Sequence, residues 1–234
     1  MLLVYLMGVL FLTKTLGALL IAVVWLPLAL LLRARAQLLV AAVVACITLT
    51  YPVLRGADLI PTQKIVEFAQ SIEEDRAQSI QYRFDNEDLF LEKASERPIF
   101  GWSGWGRWRI YDEEGNDIAV SDGDWIITIS SLGWVGYIAK FGMITFPLIL
   151  LALHKRRYEI ELTTSGLCLV VAANLIDLLP NAAPSPIFWM AVGALTGRLE
   201  TKKQADEATT ATDSTRRYSR FPHETLPESY SRFP

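Results

Sequence analysis

Four predominantly apolar stretches of this chain, free of proline clusters, run for at least seventeen residues with no more than one charge: 16–32 and 38–54 carry none, 125–153 carries only Lys140, and 162–179 only Asp177. Soluble cores have no need of such runs, whereas a helix that crosses the ~30 Å hydrocarbon layer of a bilayer needs about twenty apolar residues. Pro27 inside the first run fits a membrane helix, where neighbouring groups satisfy the freed carbonyl. Two shorter apolar runs, 2–12 and 182–195, bring the expectation to about six membrane segments. The 2–12 run is too short to cross and reads as a half-length helix. With no positive charge in residues 1–5, it lacks the n-region of a secretory signal peptide. Hydrophobic residues make up 52% of the chain and the mean hydropathy is +0.29, above the ~45–50% apolar usage of soluble domains. The fold class expected is all-α, a polytopic membrane helical bundle with one structured external loop.

Charge is segregated along the chain. No acid precedes Asp58, and between residues 56 and 121 there are fourteen acids and seven bases, a net charge of −7. Bases gather instead at Arg33/Arg35, Lys155/Arg156/Arg157 and Arg198/Lys202/Lys203. If the spans alternate, these clusters share one side, and the positive-inside rule makes that side the cytoplasm. The acidic loop then lies on the periplasmic side of a cytoplasmic (inner) membrane, with both termini cytoplasmic. The expected division is 1–55, N-terminal transmembrane helices; 56–124, external loop; 125–197, C-terminal transmembrane helices; and 198–234, a polar, disordered cytoplasmic tail. Membrane lipid is an expected partner and nucleic acid is not. The tail repeats Tyr218-Ser219-Arg220-Phe221-Pro222 as Tyr230-Ser231-Arg232-Phe233-Pro234. A docking or lipid-contact motif and a duplicated stretch without a partner are both open readings of that repeat. Cys46 and Cys168 lie within apolar runs and read as packing residues.

The external loop has local order. Ile65, Phe68, Ala69 and Ile72 fall at helical spacing behind Pro61 and Thr62, predicting an amphipathic helix that lies on the membrane or on the bundle. A second helix is expected over residues 86–94, capped by Asp85 or Asn86. Residues 108–111 and 118–120 flank an acidic turn at 112–117 with Gly115-Asn116 at its bend, which reads as a β-hairpin. The ligand spacing of that turn does not match an EF-hand, so a solvated turn is preferred to a calcium site.

The densest chemistry lies between Glu96 and Arg109. Gly101, Gly104 and Gly106 alternate with Trp102 and Trp105, beside Arg97, Arg107 and Arg109. Guanidinium donors, adaptable backbone amides and flat rings suit a phosphate joined to a sugar. The same composition also serves an interfacial tryptophan belt with arginines reaching for headgroups.

The order of these parts resembles the C-terminal half of the O-antigen ligase and O-antigen polymerase superfamily. Arg83 lies ahead of Arg97-Pro98-Ile99-Phe100-Gly101-Trp102 and Gly104/Gly106, and Asp122-Gly123 leads into Gly133-Trp134-Val135-Gly136. The resemblance spans about residues 16–197. It implies an inverting, metal-independent glycosyltransferase without a cofactor, acting on undecaprenyl-diphosphate-linked glycan beneath a large external loop. On that likeness Arg83, Arg97, Arg107, Arg109 and the glycines hold the departing diphosphate, and Trp102 and Trp105 contact sugar or interface. Ligases of this type carry a histidine in the external loop, but the two histidines here are His154, on the inner side, and His223, in the tail. A carboxylate, Asp122, Asp124 or Glu96, then takes the base role, or the protein does not catalyse. Members have about twice as many spans, so a truncated chain or a split subunit with a companion membrane protein is expected. Two other readings stand beside the transferase. One is a non-catalytic accessory of polysaccharide export. The other is a small transporter, which Lys140 and Asp177 would serve.

Overall fold

The computed structural model describes residues 2–12, 16–154 and 160–201. The repeated tail motif and the basic cluster at 155–157 lie outside the described residues. Seven helices lead the chain: α1 (Leu2–Leu12), α2 (Leu16–Leu31), α3 (Ala34–Gly56), α4 (Thr62–Gln70), α5 (Glu74–Glu96), α6 (Asp124–Leu153) and α7 (Leu162–Asp177). An eighth, α8, covers 186–195 in a first compact unit, Met1–Leu195; in the second unit, Thr196–Pro234, the described residues 196–201 are helical.

Two helices, α3 and α6, are long and apolar enough to cross a membrane, and α2 and α7 are shorter apolar helices. The core forms where α3 packs on α6 and α7. On α3 the buried stripe is Leu38, Ala41, Ala45 and Thr48, at helical spacing, and its small side chains let Tyr137, Phe141, Ile144 and Leu148 of α6 come close. Two polar contacts tie this core together: the Tyr137 hydroxyl donates to the Thr48 carbonyl at 2.6 Å, and Ser165 Oγ donates to Gln37 Oε1 at 2.8 Å. The opposite faces are apolar too. Leu39, Val43 and Ile47 of α3, and Val135, Ile138, Met143 and Phe146 of α6, are exposed. Helices apolar all round belong in a protein interior or in lipid.

Residues 56–124 depart from expectation in two places. The second helix is much longer than 86–94. It starts at Glu74, with Glu74 and Asp75 in its first turn, where acids favour the positive end of the helix dipole. It packs on α4, which buries Ala69 and leaves Phe68 exposed, as is Ile72 beyond the end of α4. The expected β-hairpin is not formed, and among the described residues there is no strand. A single antiparallel bridge joins Tyr111 and Asp117. The arms share the Ile118 amide to Ile110 carbonyl and Asp112 amide to Asn116 carbonyl bonds, both at 3.0 Å, and each is also tied to α5: Lys93 Nζ donates to the Arg109 carbonyl and the Val120 amide donates to Asn86 Oδ1 at 3.0 Å. The turn itself is closed by Asp112, whose Oδ1 accepts from the Asn116 amide at 2.7 Å and Oδ2 from the Asn116 side chain at 3.0 Å. Those bonds from Asn116 hold the Asp112 carboxyl below its usual range and occupy the oxygens that a cation would need.

Helix α6 is broken at Gly133, whose backbone (φ 66°, ψ −168°) is open in practice only to glycine. The chain segment 98–103 is stitched into this break. Trp102 and Ser103 amides donate to the Ser130 and Ser131 carbonyls at 2.9 and 2.7 Å, and Trp134 and Val135 amides donate to the Pro98 and Ile99 carbonyls at 2.8 and 3.1 Å. Gly101 and Gly133 meet at that seam, where a Cβ on Gly133 would stand 2.3 Å from the Ile99 carbonyl oxygen.

Candidate active site

Ile80, Arg83, Phe84, Glu87 and Phe90 recur at three- and four-residue spacing, so they share one face of α5. That face closes over a cavity of about 270 Å³, whose other walls are Tyr51 of α3, Ile65 of α4, residues 120–123, Ile126 of α6, and Leu179 and Pro180 beyond α7. The lining is mostly apolar, and Arg83, Glu87 and Asp122 are its charged members.

Arg83 is fixed from outside the helix. One guanidinium nitrogen donates to the Pro180 carbonyl at 2.8 Å, and another lies 3.5 Å from an Asp122 oxygen. Both side chains are about two-fifths exposed (40% and 41%), so the pair is open to water and to a ligand. Behind them sits a charge cluster that the sequence did not announce. Arg55, the last base of α3, is buried to 3% exposure. Its guanidinium lies 2.6 Å from Asp88, 3.3 Å from Glu87 and 3.3 Å from the Phe84 carbonyl. Burial pushes the Glu87 carboxyl up to about 7, against the opposing pull of Arg55. Two features could have marked this cluster: Glu87 lies four residues after Arg83, on the same helical face, and Arg55 ends a helix whose residues 36–54 carry no charge.

The sequence-derived carboxylates fall in three different places. Asp122 lines the cavity beside Arg83. Asp124 does not line it; its side chain is buried and paired with Lys140 Nζ at 2.7 and 2.8 Å, while its amide is bonded to the Leu178 and Asn181 carbonyls. Glu96 is exposed at the C-terminal end of α5, thirteen residues from Arg83 and so about 20 Å along the helix axis.

The glycine–tryptophan stretch forms a separate rim near that same end of α5. Arg97 lies over the Trp102 ring at 4.2 Å and Lys93 at 5.2 Å, while the Trp102 indole donates to the Lys93 carbonyl at 2.9 Å. Arg109 stacks on Trp108 at 5.3 Å and pairs with Asp117. Arg107 Nε reaches the Gly104 carbonyl at 3.4 Å. The Gly101 amide is bonded to the Arg97 carbonyl, so this glycine serves the seam with α6. Trp105, with left-handed backbone between Gly104 and Gly106, is 99% exposed. Among the described residues, no group of three His, Cys, Asp or Glu side chains is placed to hold a metal ion.

What these features define is a helical protein, with two helices long and apolar enough to cross a membrane and a mostly apolar cavity walled by α5 that carries three charged side chains. The O-antigen ligase family model matches residues 1–150, from α1 through most of α6, and the chain belongs to that family. It is accordingly a membrane protein of polysaccharide biosynthesis, with lipid and glycan as the partners of its family. No curated protein and no solved structure matches it.

Proposed function

We propose that this protein transfers or polymerises a glycan carried on undecaprenyl diphosphate at the outer face of the cytoplasmic membrane, and that the cavity under α5 is where the transfer happens. The observation that carries this reading is the Arg83–Asp122 pair, half-open to solvent on the wall of a mostly apolar cavity. An apolar cavity suits the lipid end of the donor, and a guanidinium fixed by a backbone carbonyl is a preorganised donor for diphosphate oxygens. In the transfer, the acceptor hydroxyl oxygen bonds to the anomeric carbon as the carbon–oxygen bond to the diphosphate breaks. The negative charge that gathers on the leaving diphosphate is met by Arg83. A cavity carboxylate takes the acceptor's proton. Asp122 holds Arg83 in line until the diphosphate takes its place.

The rim serves the glycan. Trp105 offers a flat face for sugar or interface, with Arg107 beside it, and Trp102, Arg97 and Arg109 support that surface through their stacking. In this arrangement the loop 56–124 is periplasmic, the multi-pass helices on either side of it anchor it, and both termini are cytoplasmic. A companion membrane subunit completing the bundle belongs to the same reading. A non-catalytic accessory role is the second reading, favoured by the engagement of Asp124, Arg97 and Arg109 in structural contacts.

The test is the surface polysaccharide of a deletion strain complemented with wild type, Arg83→Ala or Asp122→Ala at matched membrane levels. Glycan lost on deletion and restored by wild type but not by Arg83→Ala supports transfer. Full restoration by both variants favours the accessory role.

A further inference from the structure

We propose that Glu87 is the base that takes the proton from the acceptor hydroxyl, with Asp122 acting as the positioning partner of Arg83. This rests on the transferase reading above. Glu87 stands four residues from Arg83 on α5, which sets their Cβ atoms about 6 Å apart along one cavity wall. In an inverting displacement the attacking and leaving oxygens lie on opposite sides of the anomeric carbon. A diphosphate holder and a base must therefore both reach the anomeric carbon, and Arg83 and Glu87 line one wall of the same cavity. Asp122 instead stands at the guanidinium itself. At 3.5 Å from Arg83 it occupies the place of the phosphate oxygens, and its charge opposes theirs.

The surroundings of Glu87 suit proton transfer. Its side chain is 13% exposed, and Arg55 of α3 is its cationic partner. Arg55 gives its shorter contact to Asp88 at 2.6 Å, so Glu87 shares a charge already engaged. Tyr51 of α3 faces the same pocket, and the buried Trp125 indole of α6 approaches Glu87 without forming a hydrogen bond of good geometry. Arg83 and Asp122 complete the charged groups on the cavity. Burial is the dominant influence and raises the carboxyl to about 7, where a base is charged at physiological pH and still able to accept a proton. In the step, the acceptor O–H bond breaks and its proton moves to a Glu87 carboxylate oxygen. The acceptor oxygen then closes on the anomeric carbon, and the electron pair of the departing bond leaves with the diphosphate on Arg83.

The experiment follows consumption of the endogenous undecaprenyl-diphosphate-linked glycan pool in membranes of the complemented deletion strain, from about pH 5.5 to 9. Binding of undecaprenyl diphosphate to the purified full chain, read by tryptophan fluorescence, accompanies it. The wild-type rate should rise with pH through a midpoint near 7. Glu87→Gln should lose on the order of 100-fold in rate together with that rise, yet bind undecaprenyl diphosphate within about twofold of wild type. Glu87→Asp and Asp122→Asn should keep the rise at reduced rate. The assignment is overturned if Glu87→Gln keeps the pH-dependent rise, if Asp122→Asn abolishes it, or if Glu87→Gln loses undecaprenyl diphosphate binding along with its rate. A wild type that consumes none of the pool overturns the transferase reading itself, and this assignment with it.

Discussion

Lys140 Nζ lies 2.7 Å from an Asp124 carboxylate oxygen, although sixteen residues of one helix separate the two. A straight α-helix would hold them about 24 Å apart. The contact therefore requires α6 to fold back at Gly133, making residues 124–132 a short arm laid against the long arm of 134–153. A lysine that looked like a transport residue is thereby the counter-ion of a buried aspartate, with Thr128 Oγ1 as a further partner at 3.3 Å.

Breaking that pair on one side should be costly. Lys140→Met leaves Asp124 buried and uncompensated, with an expected loss of about 3–5 kcal/mol. Removing both charges, in Lys140→Met with Asp124→Asn, should recover most of it. Thermal unfolding in detergent and membrane abundance measure both. A single variant as stable as wild type would show that the charges do not support each other.

The seam at Gly133 makes a sharper claim about backbone. Gly133→Ala sets a Cβ against the Ile99 carbonyl in a backbone conformation that alanine avoids, and should cost at least about 2 kcal/mol. Gly104→Ala meets nothing within 4 Å and should be close to neutral. Similar losses at both positions would contradict the stitched loop.

Glu87 should also mark the pH dependence of stability. Its folded-state carboxyl titrates at about 7 against an ordinary 4.5, so between those values the folded protein holds a proton that the unfolded chain has released. Stability supplied by this group is full below about pH 4.5 and is lost as pH rises towards 7, a loss on the order of 2–3 kcal/mol. Glu87→Gln, which does not titrate, should show a correspondingly flatter profile between pH 5 and 8. Equal slopes for wild type and variant would place the proton elsewhere.

How much of this was legible in the sequence depended on the range of the interaction. The apolar runs marked α2, α3, α6 and α7 because lipid leaves few alternatives for backbone polar groups. The N-terminal half of α5 escaped because residues 74–85 are polar and lack a strong apolar period; Glu74 and Asp75 in the first turn were the available signal. The hairpin failed because period-two patterning is satisfied equally by arms docked on a helix. Arg83 and Asp122 came from the family resemblance, and the fold then set them 3.5 Å apart. Arg55 and Glu87 carry no local mark of their role, since burial of a charge is decided by packing between elements. Asp124 and Lys140 are brought together by the break at Gly133, which no local pattern in an apolar run locates.

The most direct test is the surface glycan of the deletion strain carrying Arg83→Ala or Arg83→Lys at wild-type membrane levels. If Arg83 grips the diphosphate through its guanidinium fork, Arg83→Ala should abolish mature glycan while lipid-linked precursor accumulates, and Arg83→Lys should restore only a small part, because an ammonium cannot reproduce the fork. Mature glycan at wild-type level in both variants would contradict the assignment of glycan transfer to this cavity.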